Sequence, residues 1–156
     1  MNIPKILRKV CLVVLPVILI GLAGSSSNLN AQAAPDLGAN KYLYKGISLG
    51  ASADEVRKKL GDPRDKSDPQ DLFVFSDEES AQFLYDANKK VTAIMVTFSG
   101  KLTGAPTAKD IFGEDVAPKP GGGIFKMVRY PKAGYWISYN KIVGDDSMVS
   151  IAMQKM

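Results

Sequence analysis

A weak repeat with a period of 55 residues constrains the fold more than any other feature of the sequence. The helix-start pattern at Ser52 recurs at Thr107, and Pro63 recurs at Pro118. Apolar residues recur at the same distance, with Ile94, Val96 and Phe98 matched by Val149, Ile151 and Met153. A unit of about 55 residues is marginal alone. We therefore expect two units, 41–100 and 101–156, that share a core or a continuous sheet.

A short amphipathic helix is predicted near the start of the first unit. Ser52 can cap its first turn, Glu55 can complete a capping box, and Gly61 offers a left-handed stop. At helical spacing, one face holds Ala53, Val56 and Leu60. The second helix, after Thr107, is expected to be shorter because Gly113 follows sooner.

Strand-like runs rich in β-branched and aromatic residues follow each helix. In the first unit they are 72–76, 81–86 and 91–98; in the second they are 124–130, 135–140 and a last strand containing 149–153. Short polar turns between neighbours favour antiparallel pairing. The predicted fold class is α+β: two tandem α-β-β-β units with short helices packed on one face of an antiparallel sheet.

Residues 1–33 have the pattern of a secretory signal peptide. Three basic residues precede an apolar run at 10–24, and Ala31-Gln32-Ala33 supplies small residues for cleavage before Ala34. The run is shorter than the roughly 20 residues of a spanning helix. We expect an exported protein, periplasmic or secreted, with a linker at 34–40 and no stable membrane insertion after cleavage.

Charge and residue types exclude several functions. Of the net charge of +4, the leader contributes three bases and no acids, so the remainder has a net charge of only +1. A nucleic-acid partner is therefore not expected. Histidine is absent and Cys11 is the only cysteine, which excludes histidine-dependent triads and cysteine zinc clusters. No catalytic residue, cofactor or metal is predicted.

Two further segments are compared with known ligand-binding loops and are interpreted as ordinary connections. The charged run Asp62, Arg64, Asp65, Lys66, Asp68 and Asp71 lacks the spacing of a calcium loop, so a solvated connector is expected. Gly121-Gly122-Gly123 follows prolines and precedes a strand-like run, whereas a phosphate cradle needs a helix there. A flexible loop or hairpin entry is predicted instead.

The segment Gly46-Ile47-Ser48-Leu49-Gly50-Ala51-Ser52, with Val56 and Leu60-Gly61-Asp62-Pro63, resembles the signature of the SmpA/OmlA (BamE-like) domain. The tandem arrangement is similar to that of the β-lactamase-inhibitor-protein (BLIP-like) superfamily. This resemblance implies an exported protein that works by contacting another envelope or secreted protein. The chain departs from the lipoprotein pattern because no cysteine stands at the cleavage site.

Trp136 is the strongest candidate for an interface anchor. Alternation along its strand places Tyr135, Ile137 and Tyr139 on one face and Trp136 with Ser138 and Asn140 on the other. If the first set packs against the helices, the second lies on an open face and can bind a partner. The alternative register buries Trp136 and exposes the tyrosines.

The leading hypothesis is a non-enzymatic protein-binding or envelope-scaffold module that uses its exposed sheet face. An alternative is a small-ligand carrier with a pocket between two sheets, lined by Met95, Met127, Met148 and Met153. An envelope enzyme is the third, although no activated nucleophile can be named in the sequence.

Overall fold

The computed structural model describes residues 42–156. The predicted signal peptide at 1–33 and linker at 34–40 lie outside the described residues. Within 42–156, no helix combines the length and the apolar character that crossing a membrane requires.

Two helices and seven strands make up the described chain, in an order close to that predicted. They are α1 (Ala53–Leu60), β1 (Asp65–Lys66), β2 (Gln70–Val74), β3 (Glu79–Tyr85), β4 (Val91–Ser99), α2 (Ala108–Phe112), β5 (Ile124–Tyr130), β6 (Tyr135–Ile142) and β7 (Met148–Lys155). A 3-10 turn, Pro131–Ala133, joins β5 to β6. The two-residue strand β1 was not predicted; it lies inside the charged run.

All seven strands form one antiparallel sheet in the order β1-β2-β3-β4-β7-β6-β5. The strands of the two sequence units meet at β4 and β7, where Val96 lies opposite Ile151. Both arrangements left open by the sequence are present, because the strands form a continuous sheet and both helices pack on one buried cluster. The architecture is therefore α+β, a small antiparallel sheet with few helices.

The two helices begin differently, but each ends at a glycine. At α1, the Ser52 hydroxyl accepts a hydrogen bond from the Glu55 N–H at 3.2 Å, but the Glu55 carboxylate pairs with Lys59 at 3.4 Å. Only half of the predicted capping box is therefore present there. At α2, Thr107 and Asp110 form a complete box. Positive φ angles of 87° at Gly61 and 75° at Gly113 end the two helices, as glycine allows without steric cost.

The hydrophobic core lies on one face of the sheet, beneath both helices. Val56 of α1 and Ile111 of α2 belong to the same buried cluster as Phe83, Ile137 and Ile151 from three strands. Every strand from β2 to β7 alternates between this cluster and the opposite face. The helices thus cover one face and leave the other exposed.

Asp71 corrects one prediction. The charged run 62–71 was expected to be solvated, yet Asp71 is in β2 and fully buried on the core face. Arg57 donates to its two carboxylate oxygens at 2.9 and 3.0 Å, and the Tyr85 hydroxyl donates at 2.8 Å. A buried carboxylate is tolerated because these charge-assisted hydrogen bonds replace water. Burial, and next this hydrogen bond, raise the pKa of Tyr85.

Candidate functional site

The register of β6 decides where the predicted anchor lies. Tyr135, Ile137 and Tyr139 are buried in the core, whereas Trp136 and its neighbours Ser138 and Asn140 are partly exposed on the opposite face. Two contacts fix this register. The Tyr139 hydroxyl donates to the Pro106 carbonyl at 3.2 Å, and Tyr135 stacks on Tyr130 with 5.0 Å between ring centroids.

The surface away from the helices is here named the open face. Strand pairing arranges its side chains in three rows that each cross six strands. The rows are Gln70, Leu84, Ala93, Gln154, Trp136 and Arg129; Leu72, Gln82, Met95, Ala152, Ser138 and Met127; and Val74, Ser80, Thr97, Ser150, Asn140 and Phe125. Trp136, Ser138 and Asn140 therefore occupy one strand of a much wider surface.

Charge is distributed unequally between the two faces. In these three rows, all within the described residues, Arg129 is the sole charged side chain. The five other charged residues of β2–β7 occupy the alternate strand positions that belong to the core face. They are Asp71, Glu79, Lys126, Lys141 and Lys155. The open face is consequently almost neutral although it contacts water.

Large apolar side chains on the open face are considerably exposed. Val74, Met95 and Phe125 have 44%, 39% and 49% of their surface accessible, and Ile142 at the end of β6 has 44%. The solvated face of an antiparallel sheet is usually polar. Protein interfaces, by contrast, are depleted of charge at their centre and enriched in aromatic residues and Met.

The ligand-carrier hypothesis places a pocket between two sheets, whereas the described strands form one seven-stranded sheet. The four methionines also do not line one site. Met95, Met127 and Met148 occupy strand positions on the open face, whereas Met153 is buried in the core. The methionines are divided because strand alternation sends them to opposite sides of the sheet.

A small cavity of about 210 Å³ lies beside the ends of β3 and β4. It is lined by Lys45, Ser76, Glu78, Glu79, Phe98, Ser99, Leu102, Thr103 and Gly104. Glu79 pairs with the Lys45 amine at 3.0 Å and accepts from the Tyr44 hydroxyl at 2.7 Å. Burial first, and then this bond, raise the pKa of Tyr44. The cavity is smaller than the roughly 300–1,000 Å³ of typical ligand sites.

The charged run 62–71 and the glycine run 121–123 make ordinary structural contacts. Asp68 pairs with Lys89 at 2.7 Å, which lowers the pKa of this carboxyl. Among residues 42–156, no three His, Cys, Asp or Glu side chains converge as metal ligands would. At the glycine run, the Gly122 N–H donates to the Lys119 carbonyl and the Lys119 N–H to the Gly123 carbonyl. This run is a turn that enters β5.

Two notable open-face residues, Phe125 and Arg129, were not predicted as site residues, and a third, Met95, was predicted only to line the pocket of the ligand-carrier alternative. Alternation within β5 provides the signal for two of them. Val128 is an apolar β-branched residue within that strand, and burying it places Phe125 and Arg129 on the opposite face. Met95 alternates in the same way with the buried Ile94 and Val96.

Comparison with known proteins gives one remote likeness. A solved structure of a DUF4309 family protein, YjgB from Bacillus subtilis subsp. subtilis str. 168, is similar with a TM-score of 0.43 and 14% sequence identity. The match covers 80% of this chain and 88% of that chain. No family model and no curated protein matches the sequence. A likeness this remote gives the chain neither a family nor a function.

Proposed function

We propose that this protein is an exported, non-enzymatic module that binds another envelope or secreted protein through the open face of its sheet. Trp136 is the proposed anchor, with Ser138 and Asn140 as flanking polar contacts. The observation that carries the proposal is the near absence of charge from a wide, partly apolar surface. Desolvating such a surface costs little, because few charged groups must lose their water.

The composition around Trp136 suits an anchor. In the register of the sheet, Gln154 and Arg129 lie on either side of Trp136 within its row. An indole between polar neighbours can bury its ring in a partner while its N–H finds an acceptor. Central aromatic residues of this kind often account for most of the binding free energy.

We also propose that the fold is two tandem α-β-β-β units, as in BamE-like and BLIP-like proteins. The sequence repeat and the strand register support this proposal together. Val96 and Ile151 are 55 residues apart and lie opposite each other in the β4–β7 pairing. Equivalent positions of two copies meet in this way when the copies are related by a local two-fold axis.

A charge placed on the open face tests the binding proposal. Met95→Lys adds an ammonium group near the centre of the face at a side chain that is already 39% exposed. Leu43→Lys is the matched control, because Leu43 is 50% exposed outside the strands. Each purified variant is immobilised and exposed to an envelope extract of the native host, and retained proteins are identified.

The proposal expects at least one protein that binds the wild type and Leu43→Lys but not Met95→Lys or Trp136→Ala. Denaturant unfolding of all four chains verifies that they are folded. Identical sets of retained proteins for all four would contradict the open face as the binding surface. Turnover of an envelope substrate, abolished by a single substitution, would contradict the non-enzymatic assignment.

A further inference from the structure

The strand β5 is a free edge of the sheet. It pairs with β6 along all seven residues and has no strand on its other side in the described structure. Its pairing contains no bulge, and its sequence IFKMVRY contains no proline or glycine. An edge of this length with regular geometry is a template for pairing with another strand.

The direction of the free backbone groups follows from the neighbouring strands. The Met156 N–H donates to the Gly134 carbonyl at 2.8 Å, so the Gly134 carbonyl points towards β7. Backbone groups alternate in direction along a strand. The odd-numbered residues of β6 therefore bond to β5, and they pair with its even-numbered residues. The outward groups belong to Phe125, Met127 and Arg129, which together present three N–H and three C=O groups.

At both ends of this free stretch, the next outward backbone group is not available to pair with another strand. At one end the Gly123 carbonyl accepts from the Lys119 N–H at 2.7 Å. At the other, Pro131 has no N–H and starts the 3-10 turn that leads away to β6. The unpaired backbone groups are consequently symmetric about Met127.

We propose that β5 pairs antiparallel with β5 of a second copy of this chain, about a two-fold axis at Met127. In this register Met127 lies opposite Met127 of the second copy, and Phe125 lies opposite Arg129. Each of these opposed pairs exchanges two hydrogen bonds, so all six outward groups on each strand are satisfied. A shift of the axis by one residue brings Gly123 or Pro131 into a pairing position and loses bonds.

The side chains agree with this register. On the open face, Arg129 is directly opposite the ring of Phe125, at a separation that suits a cation–π contact. The ring already accepts a cation, since Lys119 Nζ lies 5.3 Å from its centroid. On the other face Lys126 is opposite Val128, and its ammonium is paired with Glu114 of its own chain. Among the side chains of the two paired β5 strands, no like charges lie directly opposite each other.

This dimer also accounts for the single charge on the open face. Arg129 makes no ion pair with any residue that the structure describes. In the dimer it stacks on Phe125 of the second copy. The two open faces then join into one surface of twice the width, with Trp136 beside the junction on each side.

Removal of one backbone donor tests the edge. Met127→Pro eliminates an outward N–H and leaves the β5–β6 bonds in place, as prolines on edge strands do. Sedimentation of the purified chain over micromolar to millimolar concentrations should show a monomer–dimer equilibrium. Met127→Pro should raise the dimer dissociation constant by about 100-fold, because two of six hydrogen bonds are lost at the axis. Met127→Leu is the matched control and should dimerise normally.

The register is tested by cross-linking in a chain that carries Cys11→Ser. Opposed residues of a hydrogen-bonded antiparallel pair have Cα atoms about 5.5 Å apart, within the range of about 4.4–6.8 Å that a disulfide spans. Met127→Cys should therefore form a disulfide-linked dimer on oxidation. Phe125→Cys should not, since the two copies of residue 125 are more than about 13 Å apart along the strand.

A chain that stays monomeric at millimolar concentration, or a Met127→Pro dimer as tight as the wild type, would overturn the proposal. Equal cross-linking at 125 and 127 would overturn the register. An edge reserved for a strand of a different protein would leave the pure chain monomeric and so count against a second copy. Met95→Lys should still dimerise, which separates this test from that of the open-face partner.

Discussion

The two edges of the sheet are built differently. β1 consists of two exposed charged residues, Asp65 and Lys66, between Pro63 and Pro69. β5 has seven residues and pairs regularly with β6. Its outward backbone groups belong to Phe125, Met127 and Arg129, of which two are apolar. Short, charged, proline-flanked edges resist addition of a strand. One edge therefore has the features that resist addition of a strand, whereas the other lacks them.

The two halves of the described chain, 42–100 and 101–156, differ in how a helix is attached to the sheet. In the first, Arg57 of α1 forms a two-pronged ion pair with the buried Asp71, which also binds Tyr85. In the second, α2 contributes the apolar side chains Ile111 and Phe112 to the core. Attachment of α1 thus combines a buried polar network with burial of Val56, whereas α2 is attached through apolar side chains.

The largest expected effect comes from breaking that network. Arg57→Met leaves the Asp71 carboxylate buried without a counter-charge, and we expect a loss of about 3–5 kcal/mol in the free energy of unfolding. Lys126→Met is the control in the second half, where the Lys126 and Glu114 side chains are 25% and 64% exposed. It should cost less than about 1 kcal/mol. Denaturant unfolding measures both, and equal losses would contradict the difference between the halves.

High pH should have the next largest effect, by lowering the stability of the first half. Burial, and then the Glu79 charge, raise the pKa of Tyr42 to about 12. The unfolded chain loses this proton near pH 10, so the stabilisation is complete below pH 10 and disappears as pH rises towards 12. The shift corresponds to about 3 kcal/mol.

Phenolate absorbance and unfolding, followed together against pH, test this expectation. The pKa values of the five other tyrosines are raised as well, with burial as the largest cause. Little phenolate should therefore form until the chain unfolds. Several tyrosines ionising near pH 10 in the folded protein would show that they are not packed as described.

A smaller difference is expected between two buried hydroxyl groups. Tyr85→Phe removes a hydrogen bond to a carboxylate and should cost about 1.5–3 kcal/mol. Tyr139→Phe removes a bond to the Pro106 carbonyl and should cost about 0.5–1.5 kcal/mol, because both partners are neutral. Unfolding of the two single variants under the same conditions gives the ranking. A larger loss for Tyr139→Phe would reverse the comparison.

The sequence predicted the local elements well because their signals are local. The cap at Ser52 and the stop at Gly61 bound α1, and the run 124–130 coincides with β5. β1 was missed because two residues carry no periodic pattern. The order of the strands was left open, since it depends on pairing between residues far apart in the chain.

Asp71 shows why part of the fold could not be predicted. Its neighbours in sequence indicated a solvated loop, whereas its partners are Arg57 and Tyr85, each 14 residues away. Phe73 offered a clue, because alternation places Asp71 on the same face as that buried ring. The two possible registers of Trp136 were recognised from the sequence, but packing of Tyr135 and Tyr139 in the core selects between them.

Substitution of Trp136 should have a modest effect on stability and a large effect on binding. Its side chain is only partly buried, so we expect Trp136→Ala to cost about 1–2 kcal/mol, less than full burial of an aromatic ring would imply. Ile137→Ala, its fully buried neighbour, should cost about 2–5 kcal/mol. Tryptophan emission of the free protein should be quenched by iodide and should shift to shorter wavelength when a partner covers the ring. Equal losses of stability for the two variants, or a shielded emission in the free chain, would mean that Trp136 belongs to the core and not to a binding surface.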